Sequence, residues 1–170
     1  MRAPRFIGWV VVACLSVSGC TVFDGPSTQS AGPELNGAYG DLVGNINDYL
    51  GIQRETFEQD PERFFSEGKE LIAQIRDSQA EWEEAVAELN LPAEAHDGIP
   101  SEGTVEEFNA ALDQWIAAQE EQAAMSQDCW MSLDRNSCYA NMIGTNSARW
   151  NEIGARINAA MQTLSTEARE

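Results

Sequence analysis

From Leu35 onward the apolar residues of this chain recur at alternating spacings of three and four, and that pattern governs what the chain can become. Such spacing keeps side chains on one face of an α-helix, whereas a strand needs alternation by two. Leu35, Tyr39, Leu42, Ile46 and Tyr49 make a first stripe. Gly37, Gly40 and Gly44 weaken this segment as an isolated helix. Its order is expected to depend on packing, with the glycines permitting close approach and Gly51 as the stop. A second stripe runs through Ile72, Ile75, Trp82, Val86 and Leu89, with Gly68 and Gln79 in register. Asp60 is a good N-cap and Pro61 suits the first helical position. With Asn90, Leu91 and Pro92 as the end, this helix is expected to have about 31 residues and a length near 45 Å.

PAEAHDGIPSEG (residues 92–103) is a loop by composition. Thr104 and Glu107 then have the spacing of a capping box, in which each side chain satisfies the other's free amide. Val105, Phe108, Leu112, Trp115 and Ile116 form the third stripe, which runs through Gln119 and Ala123 toward Cys129. Tyr139, Met142, Trp150, Ile153, Ile157, Met161 and Leu164 form the fourth. GTNS (residues 144–147) lies inside it, as a place for a kink or a break. No β alternation of useful length and no repeat of 20–50 residues accompanies these stripes. The expected fold is all-α, an antiparallel bundle of three to four helices. The second segment carries eight acids against Arg63, Lys69 and Arg76, and the fourth carries Arg149 and Arg156. Placing those two segments side by side would relieve like-charge repulsion.

The first twenty residues follow other rules. A basic start with Arg2 and Arg5 precedes the apolar run IGWVVVACLSV (residues 7–17). That run is about 11 residues long, against roughly 20 for a helix that spans a bilayer. A basic start, a short apolar run and small residues after it read as an export signal. The residues Val17, Ser18, Gly19 and Cys20 resemble the lipobox of bacterial lipoproteins. The resemblance implies that the Cys20 thiol receives a diacylglyceryl group and that a peptidase cuts just before it. Cys20 would then be the mature N-terminus, holding the chain on the extracytoplasmic side of a bacterial membrane. A thiolate is a good nucleophile for thioether formation, and small preceding side chains let a peptidase approach. An ordinary secretory signal cut near Ser18 and a short uncleaved anchor are the alternatives. TVFDGPSTQSAGP (residues 21–33) has a tether's composition, with a root-mean-square reach of about 20 Å. The expected organisation is therefore a leader over 1–19, a lipidated cysteine and linker over 20–33, and an acidic helical domain over 34–170.

The net charge is −18, and without Arg2 and Arg5 eight basic residues face 28 acidic ones. Such a surface repels phosphate backbones, which argues against nucleic acid as a partner. It also repels anionic headgroups, so the folded body is expected to stand off a membrane. Cys14 falls in the leader and Cys20 would be acylated, which leaves Cys129 and Cys138 as an even pair in an exported chain. They bracket CWMSLDRNSC, and bridging them removes roughly 2.5–3 kcal/mol of chain entropy from the unfolded state. A zinc site is the competing reading, but two cysteines and a distant His96 do not supply four ligands. Trp130, Met131 and Leu133 lie inside the bracket. They read either as a hydrophobic cap folded over the end of the bundle or as a stapled contact loop for a protein partner.

No residue set calls for catalysis. Glu81, Glu84 and Glu88 share a helix face, with Glu83 nearby, and read as a solvated acidic face. His96 reads as an exposed loop histidine, and Trp82, Trp115 and Trp150 as packing residues. G-x-S-x-G, H-E-x-x-H and phosphate-binding Gly-rich loops are absent from the sequence. No catalytic residue, metal or cofactor is therefore expected, apart from the covalent lipid on Cys20. The leading expectation is a tethered lipoprotein with an interaction or structural role among proteins of the cell envelope. The alternative is a carrier or sensor that holds a small molecule or lipid between its helices. Cys20→Ala is expected to release the protein from the membrane or leave its leader uncut, as read by fractionation and intact mass. Normal processing with unchanged membrane retention would contradict the lipobox reading.

Overall fold

A computed structural model describes residues 32–56 and 60–168, so the leader, Val17, Ser18, Gly19 and Cys20 lie outside the described residues. Four helices account for most of what is described: α1 (Gly32–Thr56), α2 (Pro61–Ala87), α3 (Glu102–Met131) and α4 (Arg135–Glu167). The fold is the expected all-α bundle. The first stripe is buried along its whole length, from Leu35 to Tyr49. α1 continues through Gly51 to Thr56 because Gln53 and Thr56 are themselves buried against the bundle. Gly37, Gly40 and Gly44 face open space, with nothing within 4 Å of an added Cβ. The expectation that they serve close helix approach is therefore incorrect, and the apolar stripe alone docks α1. Gly68 of α2 does sit in the core, where an added Cβ would touch the rings of Phe64 and Tyr49 at 3.5 and 3.6 Å.

α2 begins as its sequence predicts. Asp60 caps it by accepting from the Arg63 N–H at 3.2 Å, with Pro61 first in the helix. It ends at Ala87, a turn earlier than expected, so its 27 residues span about 40 Å. Leu89 and Leu91 lie beyond the helix and are half-buried against the core. The connector turns at Asp97 and Gly98, both with positive φ, while His96 and Ile99 exchange backbone hydrogen bonds across them. An Asp-Gly pair is suited to this tight turn, because both central residues must adopt left-handed backbone.

α3 starts at Glu102, not at Thr104. Ser101 is the cap and accepts from the Thr104 N–H at 3.4 Å. Glu107 does not close a capping box, because Arg156 of α4 takes its carboxylate at 2.9 Å. α4 is continuous from Arg135 to Glu167, passing residues 144–147 without a break.

The side-chain pairs fix the topology. Tyr39 lies against Trp82, and Tyr49 against Phe64, so α1 and α2 are antiparallel. Arg76 meets Glu120, and Trp82 donates through Nε1 to Asn109 at 2.9 Å, so α2 and α3 are antiparallel too. α3 and α4 pair from Thr104 with Glu167 at one end to Cys129 with Cys138 at the other. α1 therefore runs parallel to α3 across the core, with Tyr39 against Phe108 and Tyr49 edge-on to Trp115. These large rings fill the centre. They also hold α1 away from α3, since the two helices have no Cα pair within 8 Å.

The expected adjacency of α2 and α4 is not found. No Cα of α4 lies within 8 Å of α1 or α2. The arginines of α4 are served by α3 instead: Arg149 pairs with Glu121 at 2.9 Å, and Arg156 with Glu107 and Gln114. Packing against one helix for much of its length leaves Ile143, Trp150 and Ile153 half-buried. Ile157, Met161 and Leu164, farther along, enter the common core.

At that end of the bundle Glu167 ties α4 to the cap of α3. The Ser101 N–H and hydroxyl donate to its Oε2 at 2.9 and 3.0 Å, and the Thr104 hydroxyl to its Oε1 at 2.7 Å. Partial burial pushes the Glu167 carboxyl up, but these three donors outweigh it and hold the pKa below its usual value. A carboxyl depressed in this way stabilises the fold above its unfolded pKa, and the contribution is lost as pH falls through the folded value. Glu167→Gln is expected to cost about 1 kcal/mol near pH 7, read by urea unfolding, with the difference shrinking below pH 4. An equal cost at both pH values would show that the charge of Glu167 is not what matters.

Candidate functional site

The far end of the α3–α4 pair is built differently. α3 carries Cys129 in its last turn, buried to 2% exposure, and α4 carries Cys138 in its first turn. The two are joined, with Cα atoms 5.3 Å apart. The bracketed segment is mostly helical rather than a loop, because α3 runs on to Met131 and α4 starts at Arg135. Only residues 132–134 turn the chain. Ser132 donates its N–H to the Cys129 carbonyl at 3.2 Å, and the Asp134 N–H donates to the Ser132 hydroxyl at 3.3 Å. Asp134 then caps α4 by accepting from the Ser137 N–H at 3.2 Å. Hydrogen bonds from Ser137 hold the Asp134 carboxyl below its ordinary value.

A small polar interior backs the staple. Tyr139 donates its hydroxyl to the Ser126 carbonyl at 2.9 Å, and the Ser126 hydroxyl points at the Met142 sulfur at 3.8 Å. One step deeper, Gln53 donates to the side-chain oxygens of Gln119 and Gln122 at 3.4 and 3.3 Å. Gln53, Gln119, Gln122 and Ser126 are buried, so the apolar core gives way to a polar layer before the tip is reached. The main apolar core includes none of Cys129, Tyr139 and Met142.

The three apolar residues of the turn do not behave alike. Met131 is 78% exposed and Leu133 is fully exposed at 108%. They are the large hydrophobic residues on the surface among the described residues, and neither folds down as a cap. Trp130 is half-buried, and the Arg135 guanidinium lies 4.0 Å from its ring centroid, in cation–π geometry. Asp128 is exposed three residues before Met131, so it shares that face of α3. The tip therefore presents two apolar side chains on a fixed turn, with carboxylates beside them.

Other residues singled out in the sequence are dispersed. Glu81, Glu83 and Glu84 are exposed along α2, and Glu88 is exposed just past its end. His96 sits on the connector with its Nδ1 3.7 Å from the Asp97 carboxylate, and both side chains are well exposed. Trp82 and Trp115 are core residues, whereas Trp150 is half-buried. Among the described residues, no three or more of His, Cys, Asp and Glu are grouped so as to hold a metal ion. No described helix is long and apolar enough to cross a membrane. A groove of about 440 Å³ lies on the outer side of α1 and α2. Ile52 and Leu71 line it together with Asp48, Glu55, Glu67 and Glu70, and its mouth is open to solvent. Periodicity gives no signal for this groove, because its residues lie off the apolar stripes. The Arg135–Trp130 stack is likewise absent from the stripe pattern, although both residues lie inside the cysteine bracket.

The chain matches no protein-family model, no curated protein and no solved structure. Its own geometry is therefore the guide to its role. Replacing both Cys129 and Cys138 by Ser is expected to lower the unfolding free energy by roughly 2–3 kcal/mol, read by denaturant titration without reductant. A loss confined to a few tenths of a kcal/mol would mean that the turn is closed without the staple.

Proposed function

We propose that this chain is a lipoprotein tethered through Cys20 on the extracytoplasmic side of a bacterial membrane, and that its helical domain engages a protein partner without catalysis. The anchor rests on the sequence of the first twenty residues alone: the basic start, the short apolar run and the Val17–Cys20 pattern agree with one another. The observation that carries the interaction role is the outward display of Met131 and Leu133 on a turn fixed from three sides. A disulfide joins its two helices, Asp134 caps the second, and Arg135 covers the neighbouring Trp130. Exposed apolar side chains on a mobile loop would lose much of their binding energy to ordering, whereas a pre-formed turn keeps it.

A carrier role has less to support it. The α1–α2 groove is open and rimmed by carboxylates, and only two aliphatic side chains, Ile52 and Leu71, line it. An apolar ligand would leave most of its surface in water there.

The test is a double substitution, Met131→Ser with Leu133→Ser, in the full chain. Both side chains are exposed, so stability is expected to stay within about 0.5 kcal/mol of wild type. Proximity labelling on intact cells is expected to return reproducible neighbours for wild type, reduced about tenfold in the variant, as a loss near 1.4 kcal/mol of contact energy requires. Unchanged neighbours with a stably folded variant would overturn the role of the tip.

A further inference from the structure

We infer that the bundle is a spacer with two functional poles. Its base lies toward the membrane and its tip away from it, so that Met131 and Leu133 meet an acid-complementary protein surface at a distance from that membrane. This rests on the proposed lipidation of Cys20. α1 begins at Gly32, and Tyr39, two turns in, touches Trp82 near the end of α2 and Phe108 near the start of α3. Gly98 of the connector approaches the Ala168 carbonyl just past α4, and Glu167 holds Ser101. The start of α1, the connector and the end of α4 are therefore one pole. The turn at 132–134 is the other, separated from the first by the full 30 residues of α3 and 33 of α4. At 1.5 Å per residue that separation is about 45–50 Å.

Eleven residues, 21–31, separate Cys20 from the start of α1, so the lipid is attached at the base and the tip stands a bundle's length from that attachment. For the tip to touch the anchoring membrane, the bundle would have to swing over and bring its sides toward the headgroups. Its sides carry the acids: Glu81, Glu84 and Glu88 toward the base, Glu67 and Glu70 farther along. Anionic headgroups repel that arrangement, so the upright arrangement is favoured and the tip points away. The occupant follows from charge. Asp128 shares the face of Met131 and Asp134 is exposed beside Leu133, while Arg135, the one cation between residues 128 and 138, is drawn over the Trp130 ring; the body carries a large negative charge. A protein with an apolar socket and a basic rim fits this tip, and the acidic body would also steer it in.

The experiment uses the full lipidated chain in phosphatidylethanolamine–phosphatidylglycerol vesicles that contain an acceptor-dye lipid. A fluorescent residue is placed at Leu133 or at Asp97. Energy transfer to the lipid is expected to be about threefold or more lower from 133 than from 97, given the pole separation. Equal transfer from the two sites would overturn the polarity while leaving the anchor intact. A chain that does not stay on the vesicles would overturn the lipoprotein reading and the inference with it. A photoreactive residue in place of the exposed Asn136, beside the tip, identifies the occupant in intact cells. A heterologous protein adduct whose yield falls about threefold with Asp128→Asn supports the basic rim. An adduct insensitive to that change, an adduct to lipid or to a second copy, or none at all would overturn it.

Discussion

The antiparallel pairing of α3 with α4 is the constraint on which the rest of the structure depends, and it is fixed at both ends. At one end a covalent bond joins Cys129 to Cys138. At the other, Glu167 gathers the cap of α3 through three hydrogen bonds. Between them Arg149 and Arg156 of α4 reach glutamates of α3. Each surface pair contributes little alone, but all are consistent with a single register. α1 and α2 then add to α3. Trp82 anchors through Asn109, while Tyr39 and Tyr49 fill the space between α1 and α3.

This arrangement separates two kinds of stability along one molecule. The common core holds Trp82, Phe108, Leu112 and Leu164 and rests on apolar burial. Toward the tip, Gln53, Gln119, Gln122 and Ser126 replace apolar side chains, and a crosslink takes over the task of holding two helices together. A staple is most useful where too little apolar surface is available to close a turn. It also lets Met131 and Leu133 face outward without loosening the turn that carries them. The display of these residues is thus linked to the chemistry beneath them, and the proposed role of the tip follows from that link.

Much of the fold was legible because a helix repeats on a fixed period. The stripe of α1 is buried residue for residue, and Asp60 caps α2 as its identity suggests. The misreadings share one physical cause, which is that a stripe marks a face but not what covers it. Trp150 lies on the α4 stripe, yet only α3 runs alongside, so the ring is half-exposed. Thr104 and Glu107 have capping-box spacing, but Arg156, 49 residues away, claims the glutamate, and Ser101 serves as the cap. Gly51 looked like a stop, yet burial of Gln53 and Thr56 carries α1 past it. At the tip, spacing indicated the cysteine pair. The outward direction of Leu133 depends on the absence of a covering helix, which no local pattern records.

The separation of base from tip depends on an unbroken α3–α4 hairpin whose two ends are far apart. Spin labels introduced as non-cysteine residues at Asp97 and Leu133 would measure that separation directly in solution. A single narrow distribution centred at about 45–50 Å is predicted from the helix lengths. A broad distribution, or one centred near 25 Å, would mean that α3 and α4 do not run straight beside each other over their full length, and would contradict the separation of base and tip.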